Sequence, residues 1–189
     1  HGVVRCALGW ACWKTYLGRP EADQVRRMAM NVLSNGLVIA EHYEDALSVQ
    51  KVEMSLLQRL GASESHVLGY QSNLASTYQL LGRYDDALRS RRNAYSGYVK
   101  LLGKEHEFSL VAASNYAFTL INLQRFEESK TLLREMMPVA RRVLGESYET
   151  TLKMRTVYAR ALFLDAGATL EDLREAVTTL GDTARIARR

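Results

Sequence analysis

The chain has 189 residues, 47% hydrophobic and 24% charged, with 25 Lys and Arg against 21 Asp and Glu. This is the composition of a chain that folds in water, and no run of about 18 apolar residues is present to cross a membrane. Only 12 Gly and 2 Pro leave too few turns for a sandwich or barrel of short strands, so helix is expected throughout; the excess of four cations is too small, and the arginines too spread, to point to nucleic acid.

Residues 1–20 carry no acid and only three bases, Arg5, Lys14 and Arg19, and the opening from His1 to Cys6 has no secretory-signal character. The first residue is His rather than Met and the last two are Arg188 and Arg189, which reads as a window cut from a longer protein. Cys6 and Cys12 are six apart on an expected helix, about 120° apart in azimuth and about 9 Å along the axis. That is beyond disulfide reach, and with no CxxC and no histidine at ligand spacing the pair reads as buried thiols in a reducing, intracellular and cytoplasmic setting. Trp10 and Trp13 on the same helix are expected to pack against the next helix rather than stack on a ligand.

From Leu17 onward the chain repeats. Leu60-Gly61, Leu102-Gly103 and Leu144-Gly145 recur at intervals of 42 residues, with Leu17-Gly18 one residue further off. Other columns keep step: Val25, Leu68, Leu110 and Leu152; the small residues Ser34, Ala75, Ala117 and Ala159; and Tyr43, Tyr84 and Phe126, each trailed by two acids and a small residue. The fourth copy is looser and reads Leu170-Glu171-Asp172. Each unit divides into two helices. In the second copy the first helix is expected from about 67 to 81, broken by Gly82-Arg83, and the second from about 84 to 102, stopped by Gly103. The acid pairs Glu44-Asp45, Asp85-Asp86, Glu127-Glu128 and Glu171-Asp172 fall at second-helix starts, and Arg59, Lys100, Arg141-Arg142 and Arg188-Arg189 at their ends, as the helix macrodipole favours. Read as catalytic pairs they would make four copies of one active site, so the structural reading is preferred. Gly97 and Pro138 sit inside second helices almost one period apart, and Pro138 removes a backbone donor and should bend its helix. His42, His66 and His106 are expected at turns in different copies and form no metal or triad pattern.

The expected organisation is a second helix of an incomplete leading repeat at 1–17, then units at 18–60, 61–102, 103–144 and 145–189, all one continuous solenoid. A propeller blade of this length would need three turns per unit, and the glycines for them are missing. The pattern Leu74-Ala75-x-x-Tyr78-x-x-x-Gly82-x-Tyr84-x-x-Ala87 resembles the tetratricopeptide repeat signature. The 42-residue unit, closed by Leu-Gly and opened by Ser109-Leu110 or Thr151-Leu152, looks like the kinesin light chain type. The sequence departs from that type where Pro-Asp-His-Pro is usual, reading for example Lys104-Glu105-His106-Glu107, and its double Asn is reduced to Ser72-Asn73 and Ser114-Asn115.

The resemblance implies an all-α, right-handed superhelical solenoid of antiparallel helix pairs, with the first helices lining a concave groove. It places on that groove Asn31 and Asn35, then Ser72, Asn73, Ser76 and Gln79, then Ser114, Asn115 and Phe118, and lastly Lys153, Thr156 and Arg160. Most carry amides and hydroxyls, which both donate and accept and so suit clamping an extended peptide backbone. Phe118 would add an apolar pocket, and Lys153 and Arg160 would meet a carboxylate. The expected role is a non-enzymatic scaffold or adaptor that binds a protein or peptide partner within a larger assembly, with no cofactor, metal or small-molecule substrate. Two other readings fit the sequence: a structural subunit that packs through its convex face and ends, and a helical repeat that binds RNA.

Overall fold

The computed structural model describes residues 2–188, which form nine helices and no strand. They are α1 (Gly2–Tyr16), α2 (Gln24–Ile39), α3 (Tyr43–Arg59), α4 (Glu64–Leu80), α5 (Tyr84–Leu102), α6 (Glu107–Asn122), α7 (Phe126–Leu144), α8 (Glu149–Leu164) and α9 (Leu170–Ala187). The helix expected from 84 to 102 has those limits, whereas its predecessor starts at Glu64, three residues earlier than the apolar spacing implied, because the Ser63 side chain caps it by accepting from the His66 amide. His66 therefore lies in the first turn of α4 and not in a turn between helices.

Helix ends follow backbone chemistry. Gly61, Gly82, Gly103 and Gly145 all have positive φ, between 67° and 94°. At Gly82 the amide bonds to Gln79 O and the next amide, of Arg83, bonds to Tyr78 O at 2.8 Å, the paired closure that a left-handed residue permits. The acids expected at second-helix starts occupy the first turns of α3, α5, α7 and α9, and Arg59, Lys100 and Arg141-Arg142 the last turns of α3, α5 and α7. At the end of α9 the base in the last turn is Arg185; Arg188 caps the helix and Arg189 lies outside the described residues.

The chain forms two compact units, residues 1–90 and 91–189, with the division inside α5. In the first, α1 packs on α2, α2 on α3 and α3 on α4; Leu33, Leu37 and Ala46 form a buried cluster with Cys6 and Trp13 against it. Arg26 lies over the Trp13 ring at 5.6 Å, so Trp13 packs as expected, while Trp10 is exposed. The two cysteines are free. In the second unit, α6, α7, α8 and α9 share a continuous core running from Leu110 through Leu133, Met136, Met154 and Leu162 to Ala176.

The small-residue column explains how closely paired helices approach. Ser34, Ala75, Ala117 and Ala159 are each 1% exposed or less. Where Ser129 crosses Ala117, the Ser129 hydroxyl donates to the Ala117 carbonyl at 3.1 Å, so a polar side chain is accommodated without an orphan. The larger column is less uniform: Leu68 and Leu110 are buried, but Val25 is 37% exposed and Leu152 half-buried.

Candidate functional site

The expected groove residues all lie on α2, α4, α6 and α8, the first helices of their pairs. In the second unit, three of them meet. Ser114 and Asn115 on α6 and Lys153 on α8 line one cleft of about 390 Å3, together with Val111, Glu107, Tyr148, Glu149 and Thr150. The sequence places them there because α6 and α8 both begin just after a Leu-Gly joint, which brings their first turns alongside. At the rim the Tyr148 hydroxyl donates to the Glu107 carboxylate, and this bond and the carboxylate's charge hold the phenol above its ordinary pKa. Two carboxylates, Glu107 and Glu149, therefore stand near the exposed ammonium of Lys153.

The resemblance places Ser114 on an open face; the structure buries it, leaving 2% exposed. Its hydroxyl is enclosed and has no hydrogen-bond partner. The reason is its position in α6 beside Ala113 and Ala117, both fully buried against the unit's core. Asn115 is half-buried next to it. Thr156 turns its hydroxyl back onto the Leu152 carbonyl at 3.0 Å. Phe118 and Arg160 form one feature rather than two: the guanidinium lies over the ring at 5.5 Å.

In the first unit Asn73 and Ser76 are exposed on α4, with Ser72 and Gln79 half-buried beside them. Asn31 and Asn35 are linked on α2, Asn35 Nδ2 donating to Asn31 Oδ1 at 2.9 Å, and Asn31 Nδ2 donates onward to the Tyr70 hydroxyl at 3.3 Å. Asn31 lines a second cleft whose most unusual member is Glu53 of α3, a carboxylate only 1% exposed. Sequence reasoning missed it. The signal is the phase of α3: Ala46, Gln50, Glu53 and Leu57 fall at three- and four-residue steps and are all buried, so an acid stands on an inward stripe.

Among the described residues no cluster of three or more His, Cys, Asp or Glu could hold a metal ion, and no helix is long and apolar enough to cross a membrane.

Nine helices without a strand among the described residues, with the small residues Ser34, Ala75, Ala117 and Ala159 buried at a regular period, define the class: an all-α helical repeat protein. Residues 67–107 and 109–147 match the tetratricopeptide repeat family model. No curated protein matches it significantly. Among solved structures, a crystal structure of the nearly identical TPR-like repeats of a protein from Podosopora anserina, described as a kinesin light chain, superposes with a TM-score of 0.76 at 17% identity, covering 96% of this chain and 84% of that one. A point variant of that same protein gives a TM-score of 0.78 over the same shares. BtubC (BKLC) from P. vanneervenii gives 0.70 at 17% identity, over 99% of this chain and 84% of that one. At this identity the likeness is one of fold, an all-α solenoid of TPR-like repeats.

Proposed function

We propose that this protein is a scaffold or adaptor that binds an extended peptide segment of a partner protein along the polar face of its first helices. Tetratricopeptide repeats are protein–protein interaction scaffolds, which supports the class of role. The observation that carries the particular site is the buried, unpartnered hydroxyl of Ser114 in the cleft with Asn115 and Lys153. A buried hydroxyl without a partner costs about 1–3 kcal/mol, a cost that a bound peptide amide or carbonyl would relieve once the hydroxyl turns into the cleft. Asn115 beside it offers a donor and an acceptor for the same backbone, and Lys153 meets a carboxylate at the open side. The protein acts without catalysis or cofactor, inside the cell, as one part of a larger complex.

The test begins with peptides selected on the wild-type chain from a displayed random library, whose affinities are then measured on variants. Ser114→Ala should raise the melting temperature, because an unsatisfied group is removed, and at the same time weaken the selected peptides by about tenfold. The pair Asn73→Ala with Asn115→Ala should weaken them further with an unchanged helical signal. Unaltered affinity in all of these would remove the groove and leave a structural subunit, whereas selected ligands whose binding falls steeply with salt would favour nucleic acid.

A further inference from the structure

The cleft of the first unit has a charged floor that the peptide-groove residues do not explain. It encloses about 380 Å3 between α2, α3 and α4. One oxygen of Glu53 accepts a hydrogen bond from the Tyr70 hydroxyl. The other, Oε2, is buried and has no partner. Arg27 lines the same cleft from α2 and acts on Glu53 through charge, yet its own Nε is also buried without a partner. Two residues that line this cleft from different helices thus carry an unsatisfied buried acceptor and an unsatisfied buried donor, each of which costs free energy while unpaired.

The chemistry of an occupant follows from that pairing. An ammonium would satisfy Glu53 but be repelled by Arg27. A carboxylate would satisfy Arg27 but be repelled by Glu53. A carboxamide sets an N–H donor beside a carbonyl acceptor and carries no net charge, so it answers both at once. The entrance suits a short alkyl stem, since Met28 and Val32 on α2 are 60% and 45% exposed and Leu57 lines the interior.

We propose that this cleft is a binding pocket for a glutamine or asparagine side chain of the partner peptide, its N–H donated to Glu53 Oε2 and its carbonyl accepting from Arg27 Nε. This rests on the reading of the chain as a peptide binder but uses a different cleft from that of Ser114.

The experiment is an NMR titration of the whole chain at about pH 8, where Glu53 is mostly ionised, with N-acetylglutamine methylamide, and in parallel with the glutamate and lysine analogues. Saturable shifts at the Arg27 Nε–H and the Tyr70 ring are expected, with the glutamine probe binding at least about tenfold more tightly than either charged probe. Glu53→Gln, which keeps an acceptor for Tyr70 but turns a donor toward the ligand's own N–H, should weaken the glutamine probe by about tenfold or more. Tighter binding of the lysine or the glutamate probe, or no response at Arg27 and Tyr70 to any of the three, overturns the proposal. If selected peptides still depend on Ser114 and Asn115 while the glutamine probe gives no response, this pocket alone is refuted. A response here with no Ser114-dependent peptide refutes the other cleft and leaves this one standing.

Discussion

Glu41 and Gln124 hold φ values of 65° and 57°, where the equivalent residue in the intervening pair is Gly82 at 71°. All three close their helices in the same way, with the next amide reaching back to Leu37, Tyr78 or Leu120. A side chain in the left-handed region costs about 1 kcal/mol relative to glycine. Glu41→Gly and Gln124→Gly should therefore each stabilise the chain by about 0.5–1 kcal/mol, and Gly82→Ala should destabilise it by a similar amount, as read from urea midpoints. Glu53 gives a second prediction at this scale. Burial pushes its carboxyl up to about 7 from an ordinary 4.5, although the Tyr70 hydrogen bond and the Arg27 charge both pull it down. Because the folded value lies above the unfolded one, the unfolded chain releases this proton first as pH rises. The contribution to stability is fully present below about pH 4.5 and is lost through about pH 7, a change on the order of 3 kcal/mol. Against wild type, Glu53→Gln should gain stability progressively between about pH 5 and about pH 8; a flat difference would show that Glu53 titrates normally.

At the scale of elements, α1 and α2 cross with almost no room. A Cβ on Gly36 would come within 2.8 Å of the Arg5 carbonyl oxygen, and one on Gly9 within 2.9 Å of Leu33 Cα. Both obstacles are backbone, so Gly36→Ala must separate the helices, at about 1–3 kcal/mol; the loss should appear in thermal unfolding together with a change in Trp13 fluorescence. In α7, Lys130 is buried and bonds Asp165 at 2.9 Å and also Glu127. Burial alone would lower its pKa, but the two carboxylates outweigh it and raise it. Lys130→Ala should be clearly destabilising in urea, because it empties a buried site and takes the cation away from Asp165, which keeps the Gly167 amide. Much of this level was legible in the sequence. Leu-Gly pairs, the small column at Ala75, Ala117 and Ala159, and the acids at helix starts depend on local backbone geometry and close helix crossings, which recur with the period. Glu53 and Ser114 were not legible in the same way. Their burial is set by the neighbouring helices that cover them, and a single Glu or Ser looks the same on a solvated face as on an enclosed one. Ser63 and His106, which cap α4 and α6 with their side chains, escape a reading by apolar spacing because that spacing begins later than the cap.

For the whole molecule, the two units differ in how much they bury. The core shared by α6 to α9 is continuous, whereas the buried cluster of α2 and α3 is small and leans on the half-buried Cys6, Trp13, Val38 and Val49. In chains whose contacts join neighbouring helices, opening is local and follows local burial. Amides in α6 and α8 should exchange with deuterium more slowly than those in α2 and α3, and uniform exchange across all four would show a single cooperative unit instead. The glycine joints at 103 and 145, each preceded by leucine and each bonding its amide to the carbonyl four residues back, have a consequence for how such a gene can change. A crossover between the two removes or adds one 42-residue unit and leaves the same Leu-Gly turn at the splice. The chain can thus be lengthened or shortened without a new loop having to evolve.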